Sequence, residues 1–216
     1  MLPETVRLVP NLCSTAIQHK LDKELSMWYS LRAINYWGSG RLELQSAVYA
    51  LKLWFHYPKS SAYRILDSGD GVFWTIQPSR DINRLQIQIQ GLKQVAEYLN
   101  TDCDRNFVEF TVHDFVGDGK NRVARQRACL YSTFHPPLGA ESRPISRASI
   151  TKATGVNRRT QQRYDRYAVE RKANFAYRQD DFGKIRPIKE LVDGKSLGRP
   201  PGSKDRRKRR RRIKLA

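Results

Sequence analysis

Between residues 66 and 72 the spacing of apolar side chains changes from three- and four-residue steps to strict alternation. That switch restricts the chain to a mixed fold, mainly α with small β-hairpins (α+β). Upstream, Ile17, Leu21, Leu25, Trp28, Leu31, Ile34 and Trp37 recur at the spacing that lines one helix face. The pattern predicts one long amphipathic helix over 15–37, ended by Gly38-Ser39-Gly40. Leu42, Leu44, Val48, Leu51 and Trp54 predict a second helix, stopped at Tyr57-Pro58 because proline disfavours the helical conformation in the residue before it. A third, short helix carries Tyr63, Ile65 and Leu66 inward, with Ser60 or Ser61 as its cap. It closes at Asp67-Ser68-Gly69-Asp70-Gly71. Downstream, 72–76 and the alternating Leu85-Gln86-Ile87-Gln88-Ile89-Gln90 read as two strands around a Pro78-Ser79-Arg80-Asp81 turn. Trp28, Trp37, Trp54 and Trp74 all fall at core positions of these patterns.

Three helices followed by a hairpin is the order of a winged helix, and residues 1–116 are expected to form such a domain. Lys59 and Arg64 would then lie on its recognition helix, and Arg80 and Arg84 on its wing. The plainer reading is a small α+β domain of the same order. A helix over 94–99 and a strand over 107–112 complete the region. Gly117-Asp118-Gly119 has the composition of a boundary, so a second module, 117–182, begins near Lys120. Its first helix, 120–134, offers Val123, Cys129, Leu130 and Phe134 to a core and turns Arg122, Arg125 and Arg127 outward.

The segment from Ile145 to Tyr164 resembles a bacterial or phage helix-turn-helix: a short helix, a Gly155-Val156 turn, and a second helix over 157–167. Gly155 supplies the positive φ that a tight interhelix turn needs, and Val156 plugs the wedge between the helices. Asn157 is a strong N-cap, which directs the unpaired amides of the next helix at a phosphate or a base edge. Arg158, Arg159, Gln161, Gln162 and Arg163 occupy its first two turns, and Arg and Gln are the side chains whose paired donors match guanine and adenine edges. Arg147 and Lys152 add charge from the preceding helix. Two positions depart from the family pattern: Thr151 stands where a small residue is usual, and Gln161 where an apolar one is.

The remaining segment, 183–216, reads as a connector and a basic disordered tail. Its Lys195-Ser196-Leu197-Gly198-Arg199-Pro200-Pro201-Gly202-Ser203-Lys204 stretch resembles an AT-hook. That likeness implies an extended peptide in a narrow A·T minor groove with Arg199 on its floor. Leu197 replaces the arginine usual there, which implies weaker A·T preference. Residues 195–216 hold 11 basic side chains and one acidic residue, including Arg206, Arg207, Arg209 and Arg210. Such density favours disorder in isolation and phosphate contact by counterion release.

Charge supports the same expectation. Forty Lys and Arg against 21 Asp and Glu leave +19, and the excess is uneven: 11 basic and 8 acidic residues in 1–100, 29 and 13 in 101–216. A polyanionic partner is the simplest account. No apolar run reaches the ~18–20 residues of a membrane span, and the N-terminus lacks a signal-peptide pattern. A cytoplasmic or nucleoid protein is expected, or a nuclear one in a eukaryotic or viral host. Cys13, Cys103 and Cys129 are too widely spaced for a zinc site and read as reduced structural thiols. His19, His56, His113 and His135 are scattered, with His113-Asp114 the one local acid–histidine pair. No phosphate-binding Gly-x-x-x-x-Gly-Lys-Ser/Thr loop is present. Neither catalytic nor metal-binding residues are therefore assigned, and no cofactor or small-molecule substrate.

The expected function is binding of double-stranded DNA, as a sequence-specific regulator or architectural protein of a mobile element reading the major groove with 157–167. The first alternative is a replication initiator binding an origin, since tandem winged modules with basic arms are similar to plasmid and phage initiators. The second is an RNA-binding ribonucleoprotein component with exposed aromatics as stacking platforms. A homodimer is compatible with all three.

Overall fold

A computed structural model of the chain describes residues 2–79, 84–102, 107–117, 119, 121–133 and 146–167, and the backbone of 177–179 and 185–187. It is mixed α+β, with many helices and small antiparallel sheets. Two compact units divide it, 1–174 and 175–216.

The first unit opens with strand β1 (Thr5–Leu8), which pairs antiparallel with β5 (Val108–Thr111), Thr5 opposite Thr111 and Leu8 opposite Val108. Alternation sets the faces: Val6, Leu8, Val108 and Phe110 are buried, while Arg7 and Glu109 meet outside as an ion pair at 2.7 Å. Helix α1 (Pro10–Gln18) follows with proline in its first turn, where a missing N–H costs nothing.

The single helix expected over 15–37 is two. Lys20 takes φ +62°, the Lys20 and Leu21 amides donate to Ile17 and Ala16, and α2 (Asp22–Ile34) starts afresh. Apolar spacing continues across this turn, so periodicity alone passes over it. Because α2 stops at Ile34, Trp37 leaves the core and is 84% exposed. Trp54 is also partly exposed, whereas Trp28 and Trp74 are fully buried.

A short strand, β2 (Arg41–Glu43), precedes α3 (Leu44–Phe55). The Glu43 carboxylate caps that helix, accepting from the amides of Gln45 and Ser46. Helix α4 (Lys59–Ser68) starts after Pro58, and β3 (Trp74–Pro78) and β4 (Leu85–Ile89) form the hairpin. Strand β4 is central in the sheet, with Ile87 opposite Leu42 on one side and Ile76 on the other. The expected second helix over 42–57 thus loses its start to β2, whose Leu42 pairs with the sheet. The described residues hold one such three-stranded sheet, and the expected tandem of winged modules is not seen among them.

Two tryptophans fasten this assembly. Trp28 Nε1 donates to the Gln90 carbonyl at 3.0 Å, joining α2 to the end of β4. Trp74 Nε1 donates to the Leu66 carbonyl at 2.7 Å, joining the hairpin to α4. Helix α5 (Leu92–Tyr98) starts two residues before its expected position, with Gln94 accepting from the Gly91 amide. The expected strand over 107–112 gives way to α6 (Val112–Val116), whose Asp114 amide donates to the Thr111 hydroxyl.

Helix α7 (Arg122–Ser132) packs against α1 and α2 and places Cys129 and Leu130 in the same core as Leu12 and Trp28. The boundary expected near 117 therefore falls inside the 1–174 unit. Its faces are also reversed at the start: Arg122 is buried and Val123 exposed, because Arg122, Gln126 and Cys129 share the inward row. Phe134 lies outside the described residues. Helices α8 (Arg147–Thr154) and α9 (Arg158–Tyr164) then pack on α1 and α7. In the second unit β6 (Tyr177–Gln179) pairs antiparallel with β7 (Ile185–Pro187).

Gly69 exposes the tightest point of the hairpin's attachment. A Cβ there would lie 2.4 Å from Cζ2 of the Trp74 ring, which is buried and held by its hydrogen bond. Gly69→Ala should lower stability by about 1–3 kcal/mol, the usual cost of overpacking. A reduced urea midpoint at unchanged slope is the expected readout, and an unchanged midpoint would show that the ring moves aside freely.

Candidate nucleic-acid interface

The α8–α9 pair is built from local signals. The Ser146 hydroxyl caps α8 by accepting from the Ser149 amide at 3.0 Å. Gly155 ends α8 in the left-handed region at φ +70°, and Asn157 Oδ1 caps α9 by accepting from the Thr160 amide at 2.9 Å. Helix α9 is shorter than the expected 157–167, passing into a turn after Tyr164. Ile150, Thr154 and Tyr164 point inward, and Tyr164 packs on Tyr131 of α7 with ring centroids 5.4 Å apart. The Gln18 side-chain amide donates to the Ala153 carbonyl, tying α8 to α1.

Of the side chains expected to face a groove, Asn157, Arg158, Arg159, Gln162 and Arg163 are exposed, and Lys152 on α8 is exposed beside them. Arg166, in the turn after α9, is also exposed, a residue that sequence reasoning omitted because it falls past the capped run. Two expected contacts are corrected. Gln161 is 0% exposed: its Nε2 donates to the carbonyls of Arg147 and Val156 and to the Thr151 hydroxyl, at 3.0, 2.9 and 2.9 Å. Arg147 is half-buried and pairs with Asp165 at 2.8 Å, bracing the two helices. The two departures from the family pattern therefore meet: Gln161 in place of an apolar wedge bonds to Thr151 in place of a small residue.

In the N-terminal region Lys59 and Arg64 are exposed on α4, and Arg84 is exposed at the start of β4. Arg80 is outside the described residues, as are Arg199, Arg206, Arg207, Arg209, Arg210 and the whole AT-hook-like stretch. Arg84 lies close enough to Glu43 to help the Ser46 hydroxyl hold that carboxyl below its ordinary range. Asp114, read beside His113, accepts instead from the Thr111 hydroxyl at 2.6 Å. Cys13 and Cys129 are buried, and burial pushes the Cys13 thiol up to about 12, which leaves it protonated and unreactive. Cys103 is outside the described residues. No helix among the described residues is long and apolar enough to cross a membrane.

The Gln161–Thr151 pairing makes a stability prediction. Gln161→Leu should cost about 1–2 kcal/mol, because part-buried acceptors lose a donor, offset in part by removal of Gln161 Oε1, which is buried without a partner. The double variant Gln161→Leu, Thr151→Ala should depart from the sum of the single changes by about 0.5–3 kcal/mol, since contacting sites couple and the Thr151 hydroxyl donates to the same Arg147 and Val156 carbonyls. Urea unfolding of the four proteins in the cycle measures it, and strict additivity would show that the two residues do not act together.

Comparison with known proteins finds no matching family model, no similar curated protein and no similar solved structure.

Proposed function

We propose that this chain binds double-stranded DNA, with α9 reading the major groove. The observation that carries the reading is the α8–α9 geometry. A glycine at positive φ and an asparagine cap fix a short helix whose exposed face holds Arg158, Arg159, Gln162 and Arg163. These side chains carry the paired donors that suit guanine and adenine edges. Lys152 and Arg166 flank them, where charge meets phosphates and sets register without reading sequence. The basic stretch 195–216 adds a sequence-independent electrostatic contribution by counterion release.

A second duplex contact is consistent with the helix–strand–helix–helix–hairpin connectivity of 22–89. That is the order of a winged helix, with Lys59 and Arg64 on α4 and Arg84 beside the hairpin turn. Two such contacts in one chain suit an origin-binding initiator as well as a regulator or architectural protein of a mobile element. The RNA-binding alternative gains one observation: Tyr36 and Trp37 are exposed and stand edge to face at 4.7 Å, an arrangement on which an unpaired base can stack.

Selection of bound fragments from a random duplex pool, with single-stranded RNA as competitor, tests the reading. A preferred duplex site is expected, and preference for RNA would overturn it. On that site Arg159→Ala or Gln162→Ala should cost about 1–3 kcal/mol and much less on random duplex. Equal losses on both would confine these residues to the backbone. Deleting 195–216 should flatten the slope of log affinity against log salt by roughly 4–5 if about five of its cations meet phosphates, near 0.9 per contact, and leave site preference intact.

A further inference from the structure

Three helices begin around one small cavity, and none of them has a side-chain cap at its start. The first turns of α2, α4 and α7 contribute Lys23, Ser61 and Arg122, and the second turn of α7 contributes Gln126, with Arg64 at the rim, around a space of about 80 Å³. An uncapped helix start presents unpaired amides and the positive end of the helix dipole. Convergence of three such ends favours negative charge; of the two carboxylates in the first turn of α2, Asp22 lines the cavity and is engaged by Arg127, while Glu24 accepts from Ser68 and is not part of the lining.

Two buried side chains sharpen this. Arg122 is 7% exposed, and its guanidinium lies 3.5 Å from the centroid of the Tyr57 ring. It forms no ion pair among the described residues, and burial lowers its pKa. A buried cation without a counter-ion is costly. Gln126 is 2% exposed. Its Oε1 accepts from Arg122 Nη1 and from the Tyr57 hydroxyl, both at 3.2 Å. Arginine can only donate, so this contact fixes the amide's orientation. Gln126 Nε2 is left as a buried donor with no partner. A guanidinium lacking an anion and an amide lacking an acceptor thus line the same space.

We propose that this cavity binds a single phosphate group, held by Arg122 and Gln126 within and by Lys23, Arg64 and the Ser61 hydroxyl at its mouth. The volume is several times the ~10–15 Å³ that a water needs and well below the roughly 300–1,000 Å³ of pockets that enclose whole small ligands. A phosphate therefore fits and a nucleotide does not. The group comes either from free inorganic phosphate or from a nucleic-acid backbone, and the site stands whether or not α9 reads DNA.

The test uses the full chain and inorganic phosphate at constant ionic strength, read by thermal unfolding and by isothermal titration. Saturable binding of one phosphate per chain is expected, with a rise in melting temperature that levels off, unlike the non-saturating effect of excluded salts. Arg64→Gln with Lys23→Gln, both exposed, should weaken the binding at least tenfold while the protein stays folded. Gln126→Glu places a carboxylate beside Arg122. It should abolish the phosphate response and unfold at a higher temperature than the unaltered chain when no phosphate is present. If the source is a backbone, Lys23→Gln alone, at a residue with no part in the duplex contacts proposed above, should also show a duplex-binding salt slope shallower by about 1. If the source is free phosphate, that slope should be unchanged while the phosphate response is lost. The proposal is overturned if the unaltered chain shows neither saturable phosphate binding nor a slope that depends on these residues. It is equally overturned if a phosphate response persists at full strength in all the variants.

Discussion

Burial of α2 on almost every side is the constraint from which the rest of the first unit follows. Leu25, Met27, Trp28, Tyr29 and Leu31 are all buried, so neighbours must close around the helix: α1, α3, α4, α7, β1 and β4 all touch it. A helix can be enclosed in this way because its backbone satisfies its own hydrogen bonds. Its polar side chains follow suit. Ser26 and Ser30 donate to the carbonyls one turn back, at 2.6 and 2.9 Å. Tyr29 accepts from the Val9 amide at 2.9 Å, and Glu24 from the Ser68 hydroxyl at 2.8 Å. These bonds reach the start of α1 and the end of α4, so one helix sets the placement of both ends of the N-terminal region. Helix α7 lies on α2, and α8 and α9 lie on α1 and α7. The candidate reading helix thus inherits its position from a core some 120 residues earlier in the chain.

What was readable in the sequence divides along the same line. Gly155 and Asn157 carry their own conformational information, a positive φ and a cap, and α9 begins where they place it. The alternation of Leu85 to Gln90 likewise specifies a strand, and β4 spans Leu85–Ile89. Features set by distant contacts were not readable. The turn at Lys20 preserves apolar spacing and so looks like continuous helix. Strand β2 is only Arg41–Glu43 and exists because β4 offers it an edge. The burial of Arg122 depends on the Tyr57 ring, 65 residues away, and basic character argued for the opposite face. Gln161 was placed toward a groove by its chemistry, whereas its neighbours Arg147, Thr151 and Val156 supply three acceptors that hold it inside.

Charge and core are segregated along the chain. Among the described residues the first hundred supply most of the buried side chains; over the whole sequence they carry a net of three positive charges and the remainder sixteen. Self-repulsion of that size opposes compaction, and a polyanion relieves it. Within the described part of the basic region, Arg127 and Arg147 are matched to Asp22 and Asp165 where they support packing. Lys152, Arg158, Arg159, Arg163 and Arg166 form no ion pair among the described residues and share the α8–α9 surface. Carboxylates thus brace the framework and leave the outer face positive.

Helix α7 joins the two places where this positive character is concentrated. At its start Arg122 and Gln126 line the cavity among the helix ends, and near its other end Tyr131 packs under Tyr164 of α9. The helix has 11 residues, so about 16 Å separates its ends, and between them its inward row is locked into close-packed core by Cys129 and Leu130. A packed helix moves as a body rather than bending, because interiors at this density have few voids to absorb a local shift. Arg122 thus acts at the start of α7, and Tyr131 near its other end supports Tyr164 of α9. The cavity and the α8–α9 face are in that sense two ends of one rigid element.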